Sequence, residues 1–176
     1  MIDFSRNYFE LFGLPSRFRL DSQALDRAYR ALQTEVHPDR HTTASDAERR
    51  VALQSSARVN EAYRTLRNPV ERATHLLSLR GAPSQDEGNA PLDVAFLERQ
   101  LERREELSEA EQAGDLRKLE ALHEALLGEL REREAALGQM LDTAGAWEDA
   151  RTAVREMRFL TKLADDIDVA IAALDA

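Results

Sequence analysis

The chain of 176 residues contains no cysteine. Disulfide staples, thiolate metal sites and covalent thiol chemistry are therefore excluded from the start. Proline and glycine are sparse, at 5 and 7 residues, and no proline follows Pro91. No apolar run approaches the roughly 20 residues that span a bilayer. The opening Met1-Ile2-Asp3-Phe4-Ser5-Arg6 lacks the basic and apolar regions of a signal peptide, so a cytoplasmic location without membrane contact is expected. No alternating pattern marks a strand and no internal repeat is visible. An all-α chain is what remains.

Charge is unevenly spread. Residues 1–80 carry 13 Lys/Arg against 10 Asp/Glu, and residues 81–176 carry 11 against 23, which gives +3 and −12 within the overall −9. Such a step predicts two modules with different partners. The acidic half argues against nucleic acid, because phosphate binding needs a basic surface. Much of that acid also serves simply to solvate helix faces.

The stretch from Asp21 to Leu66 organises the first module around His37-Pro38-Asp39. Leu25, Ala28, Tyr29, Leu32 and Val36 form a helical stripe before that tripeptide, and Val59, Ala62, Tyr63 and Leu66 form another after it. The pattern predicts two antiparallel helices with a polar loop at their tip. Pro38 drives His37 out of the helical region, so the first helix should stop at Val36. Ser45-Asp46-Ala47-Glu48 reads as a capping box that restarts the second. At about 100° per residue, Arg27 and Arg30 fall opposite the apolar stripe and face solvent. Together with Arg40 they would form a basic patch that steers an acidic partner towards the loop.

Flanking helices complete this module. Asn7 caps a short helix that Gly13 ends and Pro15 blocks. Asn68-Pro69-Val70-Glu71 opens another, through Leu76, Leu77 and Leu79 to Gly81. The four-helix module should span residues 1–80. His37 and His41 lie four residues apart with Asp39 between them, which raises a small His-dependent metalloenzyme as a reading from another class. Pro38 breaks the helix that would align them, and His75 and His123 sit on separate helices, so no metal site is expected. No nucleophile or glycine-rich phosphate loop accompanies them either.

A basic-faced helix, His-Pro-Asp, a polar loop and a second long helix resemble the J-domain, the activator module of heat-shock chaperone ATPases. By that resemblance, His37, Pro38 and Asp39, with Arg27, Arg30 and Arg40, would meet the ATPase.

Residues 81–91 read as a linker rich in turn formers. Beyond it, Asp93 can cap a helix to Ala113 and Gly114 break it. Asp115 starts a second helix through Leu116, Leu119, Leu122, Leu126, Leu130, Leu137 and Met140, and a third follows Gly145. Short connections predict an antiparallel three-helix bundle over residues 92–176. Gly128 and Gly138 lower the helix propensity of the second helix. Phe96, Leu107 and Ala110 should enter the core, whereas Leu97 and Leu101 point elsewhere, in a row with Arg104, Glu105 and Ser108. Phe159 likewise leaves the stripe of Trp147, Val154 and Met157. Either a wide core or the first module buries these residues, or they form a docking surface.

Leu11-Phe12-Gly13-Leu14-Pro15, the hairpin, Ala57 to Leu66, Leu76-Leu77-Ser78-Leu79, Phe96 to Leu107 and Arg158-Phe159-Leu160 together resemble the HscB-type J-domain co-chaperones of iron–sulfur cluster biogenesis. The resemblance implies no catalytic activity, no cofactor and two partners. An HscA-type chaperone ATPase would be stimulated by the His-Pro-Asp end, and an IscU-type cluster scaffold would bind the bundle. The scaffold-binding residues it implies are Leu97, Leu101, Glu102, Arg104, Glu105 and Phe159. Lacking cysteine, the chain would hold no cluster through thiolates. It departs from the family at Glu98, more often apolar, and at Arg103. The cysteine pairs of eukaryotic relatives are absent, so the bacterial type is the closer match. A general J-domain co-chaperone for unfolded clients usually carries a glycine-rich or zinc-binding region, which this chain lacks.

Overall fold

The structure, a computed structural model, describes residues 3–36, 45–81 and 92–174. All regular structure among the described residues is helical. The chain divides into two compact units, Met1–Arg80 and Gly81–Ala176.

The first unit contains α1 (Tyr8–Leu11), α2 (Ser22–Val36), α3 (Asp46–Arg67) and α4 (Pro69–Leu79). Their starts follow from short polar side chains that accept hydrogen bonds from otherwise unpaired first-turn N–H groups. Asn7 and Glu10 form a capping box at α1, and Ser45 and Glu48 form one at α3. Asp21 Oδ1 accepts from the N–H groups of Gln23 and Ala24 ahead of α2. Asn68 Oδ1 does the same for Val70 and Glu71, with Pro69 in the first helical position. Gly13, at φ +65°, takes the left-handed turn after α1 that a side chain would resist.

Helices α2 and α3 lie antiparallel. Tyr63 donates to Asp26 Oδ1 at 2.8 Å and Tyr29 to Asn60 Oδ1 at 2.9 Å, so one helix rises as the other falls. The two tyrosine rings stack at 4.0 Å between them. Phe9, Phe18, Leu25, Val59, Leu66 and Leu76 are buried as the unit's core. Arg72 is buried with them, its Nη1 donating to the Leu66 carbonyl at 2.9 Å and its guanidinium over the Phe18 ring at 4.6 Å. That carbonyl belongs to the last turn of α3, where no helical partner is available.

His75 fastens α1 to α4. Its Nε2 accepts the Tyr8 N–H at 3.3 Å and its ring stacks on Tyr8 at 4.4 Å. Burial, and then the nearby Arg58 guanidinium, hold the imidazole below its ordinary pKa. The neutral ring is the form that can accept this bond.

The second unit is an antiparallel bundle of α5 (Val94–Ala113), α6 (Leu116–Gln139) and α7 (Trp147–Leu174). Asp93 and Asp115 cap the first two helices, and Gly114 at φ +63° turns between them. Lys118–Glu109 and Arg103–Glu129 pair α6 with α5, while His123–Asp168 and Arg133–Glu156 pair it with α7. Phe96, Leu107, Leu119, Leu126, Leu160 and Ile167 form the core. Each such side chain contributes on the order of 1.5–3 kcal/mol by leaving water.

Helix α6 stays α-helical through Gly128 but stops one residue short of Met140, where periodicity had carried it. Met140–Ala144 instead forms a π-helical turn, and the Met140 carbonyl accepts the Ala146 N–H at 3.1 Å. The wider turn takes in an extra residue and delivers the chain to Gly145, which is left-handed at φ +64°.

Candidate functional site

Two surfaces hold the residues singled out from the sequence. At the hairpin, His37, Pro38, Asp39 and Arg40 lie outside the described residues, as does His41. What is described is the frame on either side of them. Val36, the last residue of α2, is buried, and Ser45 caps α3. Arg27 and Arg30 are both exposed on α2. Arg27 reaches back to Asp21 at 3.8 Å, a pair open to solvent on both sides. Thr34 donates to the Arg30 carbonyl, which leaves the guanidinium of Arg30 uninvolved in that bond.

On the bundle, Leu97, Leu101, Glu102, Arg104 and Glu105 are all exposed on α5, and Phe159 is exposed on α7. The fractional exposures of Leu97, Leu101 and Phe159 are 44%, 60% and 46%. Val94, Leu127, Val169 and Leu174 of the same bundle are also exposed, so what sets these three apart is the row that Leu97 and Leu101 form on α5, which makes this face a candidate surface of contact. Within the unit, the alternative of a wide core swallowing them does not hold. Phe159 meets the buried ring of Phe96 edge-on, at 6.3 Å and 78°. That ring contact, with Lys162 of α7 lying near Arg104 of α5, sets the Phe159 stretch of α7 against the part of α5 that carries the leucine row. Val94, 67% exposed, precedes Leu97 by three residues and Leu101 by seven, so it continues the same row. Sequence reasoning missed it, although its spacing was there to read.

Arg103 and Glu98 behave differently. Glu98 is exposed beside the apolar row. Arg103 turns away from it, and its Nη2 donates to Glu129 on α6. Glu129 also accepts from Arg133 Nε at 2.8 Å, and Arg133 Nη1 donates to Glu156 on α7. Burial would raise the Glu129 carboxyl, but hydrogen bonds from Arg103 and Arg133 outweigh it and hold its pKa below the ordinary value. Burial likewise works against the charge on Arg133, and its bonds to Glu129 and Glu156 override that, so its pKa is raised. The departure at Arg103 is thus one end of an ionic chain between helices.

Among the described residues no cluster of three or more His, Asp or Glu side chains is arranged to hold a metal ion. No described helix is long and apolar enough to cross a membrane. The arrangement suits protein contact: an apolar row rimmed by Glu98, Glu102, Arg104 and Glu105, which matches the pattern of an interface with a hydrophobic centre and polar margin.

Comparison with known proteins agrees on both units. The family described as the DnaJ domain matches residues 7–75, and the family described as the HSCB C-terminal oligomerisation domain matches residues 92–168. A "Co-chaperone protein HscB homolog" from Ralstonia nicotianae is 50% identical over 171 residues, 97% of each chain. The structure of "Chaperone HscB from Vibrio cholerae" superposes with a TM-score of 0.84 at 37% identity, covering 96% of this chain and 99% of that one. The human co-chaperone protein HscB gives a TM-score of 0.87 at 28% identity, over 95% and 83% of the two chains. A J-domain joined to a helical bundle, with relatives this similar along their whole length, means that the chain belongs to the HscB family of J-domain co-chaperones.

Proposed function

We propose that this co-chaperone stimulates the ATPase of an HscA-type heat-shock chaperone and delivers to it an IscU-type scaffold protein during iron–sulfur cluster maturation. The observation that carries the reading is the open apolar row of Leu97 and Leu101 with Phe159 beside it, on a unit joined in one chain to a J-domain. Scaffold binds there, with Glu102, Arg104 and Glu105 at the margin. His37, Pro38 and Asp39, flanked by Arg27, Arg30 and Arg40, engage the ATPase. Basic residues near that engagement speed encounter with an acidic partner more than they tighten the complex. Free energy comes from the nucleotide on the partner, so the chain needs no nucleophile of its own.

Coupling follows from joining the two sites in one molecule. A scaffold held on the bundle is presented to the ATPase at an effective concentration set by the tether, without any new contact. The ATPase rate of the HscA-type chaperone tests this, measured with scaffold present or absent and with wild type or His37→Gln. Synergy between wild type and scaffold, abolished in the variant, is expected. Stimulation that ignores the scaffold would point to a general J-domain co-chaperone with another client, and no stimulation would refute the hairpin assignment.

A further inference from the structure

Phe159 is half open to solvent, and its ring meets the buried Phe96 ring edge-on. That ring is in turn covered by the Arg133 guanidinium, 5.5 Å from its centroid. Arg133 uses its planar group in three directions. Nε bonds Glu129 on its own helix, Nη1 bonds Glu156 on α7, and the group as a whole lies over the Phe96 ring of α5. Glu156 precedes Phe159 by three residues, so both lie on adjoining parts of one α7 face. Arg103 closes the chain by bonding Glu129 from α5. The four charged side chains are each less than a third exposed, which shields the network from water.

We infer that Arg133 is a positioning residue for the partner-binding face, fixing α7 against Phe96 so that Phe159 stands ready beside Leu97 and Leu101. The inference rests on the function proposed above and adds how its binding surface is preset. A ring that must find its position on binding loses rotamer freedom at that moment, and a ring already held does not. Only arginine serves, because a lysine ammonium offers neither a planar face nor a divided fork. The network is neutral overall, with Arg103 and Arg133 against Glu129 and Glu156, so its contribution is geometric and not a field felt by the partner. Buried ion networks of this kind are often replaceable by apolar groups with little loss of stability. Specific presentation of Phe159 is then the property that the network confers.

The test uses the full chain with phenylalanine isotopically labelled, as wild type, as Arg133→Lys, and as the double variant Arg133→Met with Glu156→Gln. The double variant removes both charges together, so that no buried carboxylate is left unpaired and folding is retained. In the free protein, the Phe159 ring resonance should carry the ring-current shift from Phe96 and move towards its unstructured value in both variants. Affinity for the purified IscU-type scaffold should fall on the order of tenfold, a typical loss for a contact near an interface centre. The Tm should change by only a few degrees. An unmoved Phe159 resonance, or unchanged affinity in both variants, overturns the inference. Leu101→Ala serves as the control for the face itself. Wild type that fails to bind scaffold at all refutes the proposed function and the binding half of this inference, while the resonance still decides whether Arg133 positions Phe159.

Discussion

The two units handle their buried polar groups in contrasting ways. In the first, the buried Arg72 lies over the Phe18 ring and the half-buried Arg58 over Tyr8 at 4.6 Å, and the interhelix pair Arg67–Asp26 is largely open to solvent. In the second, Arg133 also lies over a ring, that of Phe96, but as part of an ionic network across helices with Arg103, Glu129 and Glu156. The difference follows from helix length and purpose. The first unit must tie a four-residue helix, α1, to two long ones, and its few aromatic side chains give large area over a short span. The second has long parallel axes, where charges at helical spacing meet repeatedly. One arrangement frames a segment between helices, and the other holds a helix face open.

Removing Arg72 should expose that contrast most strongly. Arg72→Ala leaves the Leu66 carbonyl without its donor and Phe18 without its cover, and should cost roughly 3 kcal/mol. Hydrogen-exchange protection of α4 amides in the intact chain would register the loss, with α5 to α7 unchanged. Loss of protection in both units would mean that they do not behave separately.

Leu101→Ala should separate stability from recognition. At 60% exposure its truncation should shift stability by less than about 0.5 kcal/mol, while scaffold affinity falls by roughly 1–2 kcal/mol. Thermal unfolding beside a binding titration reads both. A large drop in Tm with affinity intact would make the residue part of the core.

Acid should reach the two units at different points. The His75 pKa is lowered from 6.5, so the unfolded chain binds the proton more readily and stability falls as pH drops below about 6.5. The carboxyl of Glu129 is lowered from 4.5, so its contribution is complete above that value and is lost only as pH falls through the folded pKa. At pH 5, therefore, exchange at α1 and α4 should quicken, after correction for the intrinsic rate, while the bundle stays protected. Equal loosening of both units would remove His75 from this role.

The smallest effect should come from Arg27. Its pair with Asp21 is exposed on both sides, and such pairs are worth about 0.2–1 kcal/mol. Arg27→Ala should leave Tm almost unmoved and act instead on the salt dependence of ATPase stimulation. A shift of several degrees would mark it as structural.

Much of the architecture was legible because helix starts are local events. Asn7, Asp21, Ser45, Asn68, Asp93 and Asp115 each act within three residues of themselves, and a capping side chain identifies its own helix. The helical period set Leu97, Leu101 and Phe159 apart from the core stripe but left open whether they were buried elsewhere or formed a docking surface. The rest depended on contacts between elements. His75 registers in sequence as one more helical histidine, and only the approach of Tyr8, 67 residues away, makes it a fastener. Arg103 registered only as a departure from the family's pattern, and the structure gives it a partner in Glu129 on the next helix. Periodicity carried α6 to Met140 and restarted after Gly145, but it held no signal that the chain between them winds as a π turn.

The central claim is that the two units do separate parts of one task. Its most direct test measures HscA-type ATPase rate against scaffold concentration for wild type, His37→Gln and Leu97→Ala/Leu101→Ala. The account predicts that the face variant keeps scaffold-independent stimulation and loses synergy. It also predicts that His37→Gln loses all stimulation and still binds scaffold as wild type does. A face variant with full synergy, or a His37→Gln protein that still stimulates, would contradict it.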